Sequence, residues 1–465
     1  MQAVKGMQRS EKRGVFHVPV KQRLAAGKKL RTKVPRSSHG EWRAAKNRRD
    51  PIELLKESDR ERLPELLPIR YARMRESPFG FLRGAAPVMA ADLAATPVTG
   101  IRVQACGDCH VANFGGFGTP ERQLVFDIND FDETLPAPWE WDVKRLAASV
   151  LVATRTSGFG ETRCRDEARA CVESYQRRMN EYAEMTALEV WYSHLDLEML
   201  PEKAETASAR KQWVKLIDKA AEHAPGREFP KIAAVHNGRP RIEDRPPLIY
   251  HPRGMAGGSR HVQKMFNRYR GTLPYERRIV LDRYELVDVA RKVVGVGSVG
   301  TRCAVALLVA GPHDAFVLQF KEACRSVLEP YAGKNKYQNQ GERVVVGQRL
   351  LQSASDVFLG WTRDDDGHDY YFRQLRDMKL KIDVESMSRA EWLEYVDLCG
   401  WALARGHART GDPARIAGYL GKGDAFADAI EKFAVAYGDQ TERDYEALLK
   451  AIRTGKIHAA SGRLA

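Results

Sequence analysis

The chain contains no apolar run near the ~18 residues that a membrane-spanning helix needs. Its opening, MQAVKGMQRSEKRGVFHVPVKQRL, is basic and has no apolar export segment. A cytoplasmic location is the expectation. Cysteine is scarce as well: there are seven among 465 residues, at positions 106, 109, 164, 171, 303, 324 and 399. An odd number so scattered forms no disulfide framework and suits a reducing compartment. Only Cys106 and Cys109 lie close together, within a C-x-x-C-H pattern ending at His110. Without export or a second ligand pair, haem, zinc and redox roles for this pair are disfavoured. No internal repeat is found.

What is present describes a globular chain. Hydrophobic residues make up 43% and charged residues 29%, and the length suits two or three structural units. The net charge is +14, but residues 1–50 hold 15 Lys and Arg against Glu11, Glu41 and Asp50, so +12 of it sits there. The charge therefore marks a basic arm, residues 1–50, expected to be solvated and partly mobile. Contact with nucleic acid or an anionic surface through this arm is the less favoured alternative.

Beyond the arm, Asp50-Pro51 predicts a helix start. Residues 51–260 are expected to be mainly helical, interrupted by GIRVQACGD and RQLVFDINDFDE, two β-branched runs flanking a glycine-rich turn as a small sheet or hairpin. Ala168, Cys171, Val172, Tyr175, Met179 and Tyr182 recur with helical period and read as a core stripe. The Pro-, Gly- and charge-rich stretch 195–260 reads as an insertion or linker. Residues 261–385 hold an antiparallel meander, RYELVDVARKVVGVGSVGTRCAVALLVAGPHDAFVLQFKEA, followed by a helix around GERVVVGQRL and two further strands. From Ser388, which makes a capping box with Glu391, residues 386–465 are helical.

GVGSVG places Gly295, Gly297 and Gly300 in the pattern G-x-G-x-x-G, a weak motif by itself. A dinucleotide site needs strand, loop, helix. Here the loop leads into the β-branched run TRCAVALLVAG. That makes strand, loop, strand, the arrangement in which a hairpin folds its amides over a triphosphate. Ser298 joins the three glycines as a nucleotide-binding candidate. Lys321 ends the next strand, where its ammonium can reach the α- and β-phosphates if a glutamate on the following helix holds it; Glu342 is the first candidate and Glu329 the second. The plain alternative is hairpin glycines and a strand-end lysine.

GDCHVANF offers Asp108 and, five residues on, Asn113. This spacing suits an aspartate that accepts a hydroxyl proton and an asparagine that binds magnesium. A second metal-binding aspartate should follow a short strand pair. FDINDFDE supplies Asp127, favoured by spacing, and Asp130, favoured by the Asp130-Phe131-Asp132 context. The crowded acids Asp127, Asp130, Asp132 and Glu133 repel one another, which favours a cation or basic partners nearby. An acidic turn leading into the helix at 142 is the plain alternative. Arg83, His407, Arg409 and Asp412 are candidates for phosphate or substrate contact, with buried ion pairing the commoner outcome.

The blocks RDPIELL, ELLPIRYARMRESPFGFLRGAA, GDCHVANFG, FDINDFDETLPAPWEWDVKRLAAS, GVGSVGTRC, YYFRQLRDMK, GHARTGD and YGDQTERDYEAL cover nearly the whole chain. Together they resemble a bacterial family described as a domain of unknown function, number 2252. GDCHVANF and INDFDE are similar to the H-G-D-x-H-x-x-N and I-D-F/W segments of aminoglycoside- and choline-type phosphotransferases, with Cys106 where many of those have histidine. WEWDVKRLA resembles their D-x-x-Y-D-L-A run. The resemblance implies an α+β, two-lobed protein-kinase-like fold, ATP and Mg2+ as cofactors and a hydroxyl-bearing acceptor. It also implies Asp108 as catalytic base, Asn113 and Asp130 as magnesium ligands, Lys321 with Glu342 on the nucleotide, and Asp142 as a brace of the loop. In those enzymes the glycine loop and lysine precede the catalytic loop. The order is reversed here, and a circular permutation accounts for it.

Overall fold

Asp50 and Pro51 open the expected helix Pro51–Asp59. The Asp50 side chain accepts from Ile52 N at 2.7 Å, and proline at the first helical position forfeits no intrahelical bond. The computed structural model describes residues 18–203, 210–211, 213–215, 217–218, 232–236, 238–252, 260–311, 314–375, 378, 380–384 and 387–461. Over these residues the protein is a mixed α+β structure.

The strands in chain order are β1 (Arg102–Ala105), β2 (Phe114–Gly118), β3 (Leu124–Ile128), β4 (Leu135–Pro138), β5 (Leu195–Asp196), β6 (Ala233–His236) and β7 (Arg239–Ile242). They continue with β8 (Ile249–Tyr250), β9 (Glu285–Lys292), β10 (Cys303–Gly311), β11 (Asp314–Glu322), β12 (Gly360–Arg363), β13 (Asp369–Gln374) and β14 (Leu380–Lys381). The largest sheet is antiparallel, in the order β12-β13-β11-β10-β9-β8. Its centre is the expected meander β9-β10-β11. Side chains alternate along β11. Phe316, Leu318 and Phe320 enter a core with Tyr269 and Phe372, while Ala315 and Val317 face the opposite side beside Ile242 and Ile249. The same period of two carries Gln319 and Lys321 to that second face.

The largest core lies among the helices Trp139–Thr156, Glu161–Glu184, Arg389–Thr410 and Ala425–Arg453. The stripe from Ala168 to Tyr182 is buried in it, and the Ser388–Glu391 capping box forms as expected. Close contact between two of these helices requires a missing side chain: a Cβ at Gly400 would lie 2.4 Å from Cys171 O.

Three local expectations are corrected. The glycine-rich segment after Asn113 is strand β2, not a turn. It pairs with β3, and β1 pairs with β4 instead. Glycine suits β2 because a Cβ at Gly115 would meet Leu380 O at 2.7 Å and one at Gly116 would meet Leu197 Cδ1 at 2.6 Å. The stretch 195–260 is more than a linker, since β5 pairs with β3 and β8 with β9. The described part of the basic arm is docked on the body, although most of its side chains remain exposed. Helix Val20–Leu30 crosses helix Pro413–Leu420, with Arg31 donating to Tyr419 O at 2.8 Å and Gly418 O at 2.7 Å. Arg48 forms ion pairs with both Asp92 and Asp444. Residues 1–17 lie outside the described residues.

Candidate functional site

The loop from Cys106 to Asn113 is built from its own backbone outward. Gly107 has φ of +86°, and a Cβ there would lie 2.3 Å from Glu133 O, so only glycine fits. The buried Asp142 side chain accepts from Cys106 N at 2.7 Å and from Gly107 N at 3.0 Å, and it lies 3.2 Å from His407 Nε2. Ser149 Oγ accepts from Val111 N at 2.8 Å, and Asn113 Nδ2 donates to Asp108 O at 2.7 Å. Helix Trp139–Thr156 thus holds the loop from below, and the loop's own asparagine closes it. Cys109 is a buried thiol whose pKa burial raises well above its ordinary value, which disfavours the thiolate that metal or redox chemistry needs.

Asp108 is half-buried on this loop. Arg145, buried on the same helix, donates through Nε to Asp108 Oδ1 at 2.6 Å. Burial raises the Asp108 carboxyl above its ordinary value, against the opposing pull of Arg145. No motif in the sequence marks Arg145. The available signal was helical spacing, since Arg145 lies three residues after Asp142 and shares its face.

β3 leads into the second acidic segment. Asp127 is 0% exposed and turned beneath the cleft, where it takes an ion pair from Arg405 at 2.6 Å and bonds from Ser353 N and Oγ at 2.9 and 3.0 Å. It is a buried structural carboxylate, and Asp130 is the acid that faces the cleft. Phe131 between them and Asp132 is buried in the core, and this fixes the direction of the acids on either side. Burial raises the Glu133 carboxyl to about 7.

The glycine loop closes the other side. It turns through Val296–Ser298, and Gly300 has φ of +96°. A polar cleft of about 290 Å³ lies between the two segments. It is lined by Asp108, Asn113, Asp130 and Asp132 from the first and by Gly295, Gly297, Ser298 and Lys321 from the second, with Arg83, His110, Gln319 and Arg373. An adjoining cavity of about 650 Å³ shares Arg62, Asp132, Glu133, Gly297 and Ser298 with it.

Two expectations about the glutamates are not met. Lys321 pairs with Asp132 rather than with Glu342 or Glu329. Burial works to lower the Lys321 pKa, but Asp130 and Asp132 outweigh it and raise the value. Glu329 pairs with Arg325 at 2.9 Å, and Glu342 sits in the first turn of helix Gln340–Leu351, its N–H donating to Asn339 Oδ1 at 3.1 Å. The neighbouring Arg343 takes the inward position and donates to Asp132 O, Thr134 O and Cys324 O, each at 2.8 Å. Of the further candidates, Arg83 reaches the cleft. His407 lies under the loop beside Asp142, Arg409 stacks on Trp191 at 3.8 Å, and Asp412 caps a helix while pairing with Arg23 at 2.9 Å.

Fold and site together define an α+β protein in which an acidic loop pair and a glycine hairpin bearing a lysine converge on one polar cleft. The chain belongs to the family described as uncharacterized protein conserved in bacteria (DUF2252), whose model matches residues 62–451. No match is found among curated proteins or among solved structures.

Proposed function

We propose that the protein is a magnesium- and ATP-dependent phosphotransferase with a circularly permuted, protein-kinase-like arrangement, acting on a hydroxyl acceptor. One observation carries the reading: Lys321 meets Asp132, 189 residues away, in the same cleft that Asp108, Asn113 and the glycine loop line. Glycine loop, lysine strand and following helix succeed one another in the order of a kinase-type nucleotide lobe, with Asp132 in place of a helix glutamate on the lysine. The acidic loops would complete the site from the other side.

The donor set suits magnesium. Asn113 and Asp130 offer hard oxygen atoms at one wall of the cleft, and the bond from Asn113 Nδ2 to Asp108 O leaves the amide oxygen as the end able to meet a cation. Bound Mg2+ would neutralise charge on the transferring phosphates. Lys321, Ser298 and the loop amides would hold phosphate oxygens. Asp108 would accept the acceptor's hydroxyl proton, and Arg145 and Asp142 would keep it in place. The adjoining cavity gives an acceptor room to approach.

The test is turnover of Mg·ATP by the purified full chain with pooled hydroxyl compounds. Asp108→Asn should cut turnover by roughly 10²–10⁴, the usual contribution of a positioned base, and leave nucleotide affinity unchanged. Lys321→Ala should weaken nucleotide binding. Wild-type turnover in both variants refutes the assignment.

A further inference from the structure

The inference rests on the phosphotransfer reading and concerns how its nucleotide site is regulated. Asp132 gathers three donors on one carboxylate: Ser298 Oγ from the glycine loop at 3.0 Å, Tyr371 OH from β13 at 2.8 Å, and Lys321 Nζ from β11. An ammonium and a loop hydroxyl are the groups that a phosphate chain would need. The Lys321 side chain is 4% exposed in this arrangement, and at the wall of the cleft its charge is already met by Asp132.

The surroundings keep the carboxylate there. Arg343, itself buried, fixes the Asp132 carbonyl at 2.8 Å, so this backbone is anchored to helix Gln340–Leu351. The glycine loop is held down from outside. Leu63 N donates to Gly300 O at 2.7 Å, Arg62 donates to Val299 O, and Arg73 donates to Val294 O. A Cβ at Gly297 would come into ordinary contact with Asp108 Oδ2, at 3.8 Å, so the loop directly faces the proposed catalytic carboxylate.

We propose that Asp132 is a built-in anion that fills the phosphate cradle when no nucleotide is bound, so that a polyphosphate chain enters only as Lys321 and Ser298 exchange Asp132 for phosphate oxygens. A carboxylate and a phosphate compete for the same charge-assisted donors. Asp132 therefore sets the affinity of the site and holds the glycine loop closed.

The experiment uses the full chain at pH 8, with inorganic tripolyphosphate and Mg·ATP as probes in calorimetry. The reactivity of Lys321 toward an acetylating N-hydroxysuccinimide ester is read by mass spectrometry. Asp132→Asn and Asp132→Ala should bind tripolyphosphate at least tenfold more tightly than wild type and acetylate Lys321 at least fivefold faster. Glu133→Gln removes a like charge from the same cleft without touching the cradle, and should give less than a third of the affinity gain. Equal gains in the Asp132 and Glu133 variants, or unchanged Lys321 labelling in both Asp132 variants, overturn the proposal. Tighter polyphosphate binding and faster labelling without turnover of any hydroxyl compound would leave the proposal standing and remove the phosphotransfer reading.

Discussion

Asp127 is wholly buried against Arg405, whereas Asp130, three residues later, faces the cleft. This difference in environment separates two outcomes. Removing one partner of a buried ion pair leaves the other charge uncompensated, so Asp127→Ala should cost about 3–5 kcal/mol in urea unfolding. Asp130→Asn should cost less than Asp127→Ala in the same assay and, on the phosphotransfer proposed above, abolish turnover of Mg·ATP. The Asp142 brace belongs to the first kind. Asp142→Ala strips the acceptor from Cys106 N and Gly107 N and a partner from buried His407, and a loss of about 2–4 kcal/mol is expected in the same assay.

Helix crossings decide the next scale. At the docked arm, a Cβ on Gly27 would lie 2.0 Å from Arg415 O and one on Gly418 would lie 2.1 Å from Leu24 O. Backbone cannot give way as a flexible side chain can, so Gly418→Ala should cost about 1–3 kcal/mol and open the arm's lysines to trypsin. Helix Trp139–Thr156 carries a different liability. Lys144 Nζ is buried without a hydrogen-bond partner among the described residues, 5.2 Å over the Phe433 ring, and burial lowers its pKa to about 7. Between that value and about 10.4 the unfolded chain binds the extra proton, so this group makes stability rise with pH across the window. Lys144→Met should raise the Tm at pH 7 and flatten the rise between pH 7 and 10, as read by calorimetry on both proteins.

The principal core draws on residues from Phe79 to Ala434, and the helix Arg389–Thr410 packs on Glu161–Glu184 across the length of the chain. No contiguous half contains both sides of this core. A fragment of residues 18–203 should therefore give little cooperative unfolding by circular dichroism, and co-expression with residues 260–461 should restore it. The docked helix also bears on the nucleic-acid alternative. Deleting residues 1–50 removes Arg48 from Asp92 and Asp444 and costs stability whatever the arm binds. Among the described residues no helix is long and apolar enough to cross a membrane.

Features governed by near neighbours were legible in the order of amino acids. They include the Asp50-Pro51 helix start, the Ser388–Glu391 box, the stripe from Ala168 to Tyr182, the meander β9-β10-β11 and the five-residue step from Asp108 to Asn113. Strand β2 was not legible, because glycine has little intrinsic preference for strands and is selected there by what closes on it. The inward place of Arg343 rather than Glu342 is not legible for a related reason: the sequence marks the helix, but its rotation against the sheet depends on packing. The chemistry of each segment is thus local, a matter of which donors and acceptors a few adjacent residues can present. Only the folded chain brings the acidic loops under the glycine hairpin and gives Lys321 to Asp132, because a contact across 189 residues depends on the whole core assembling.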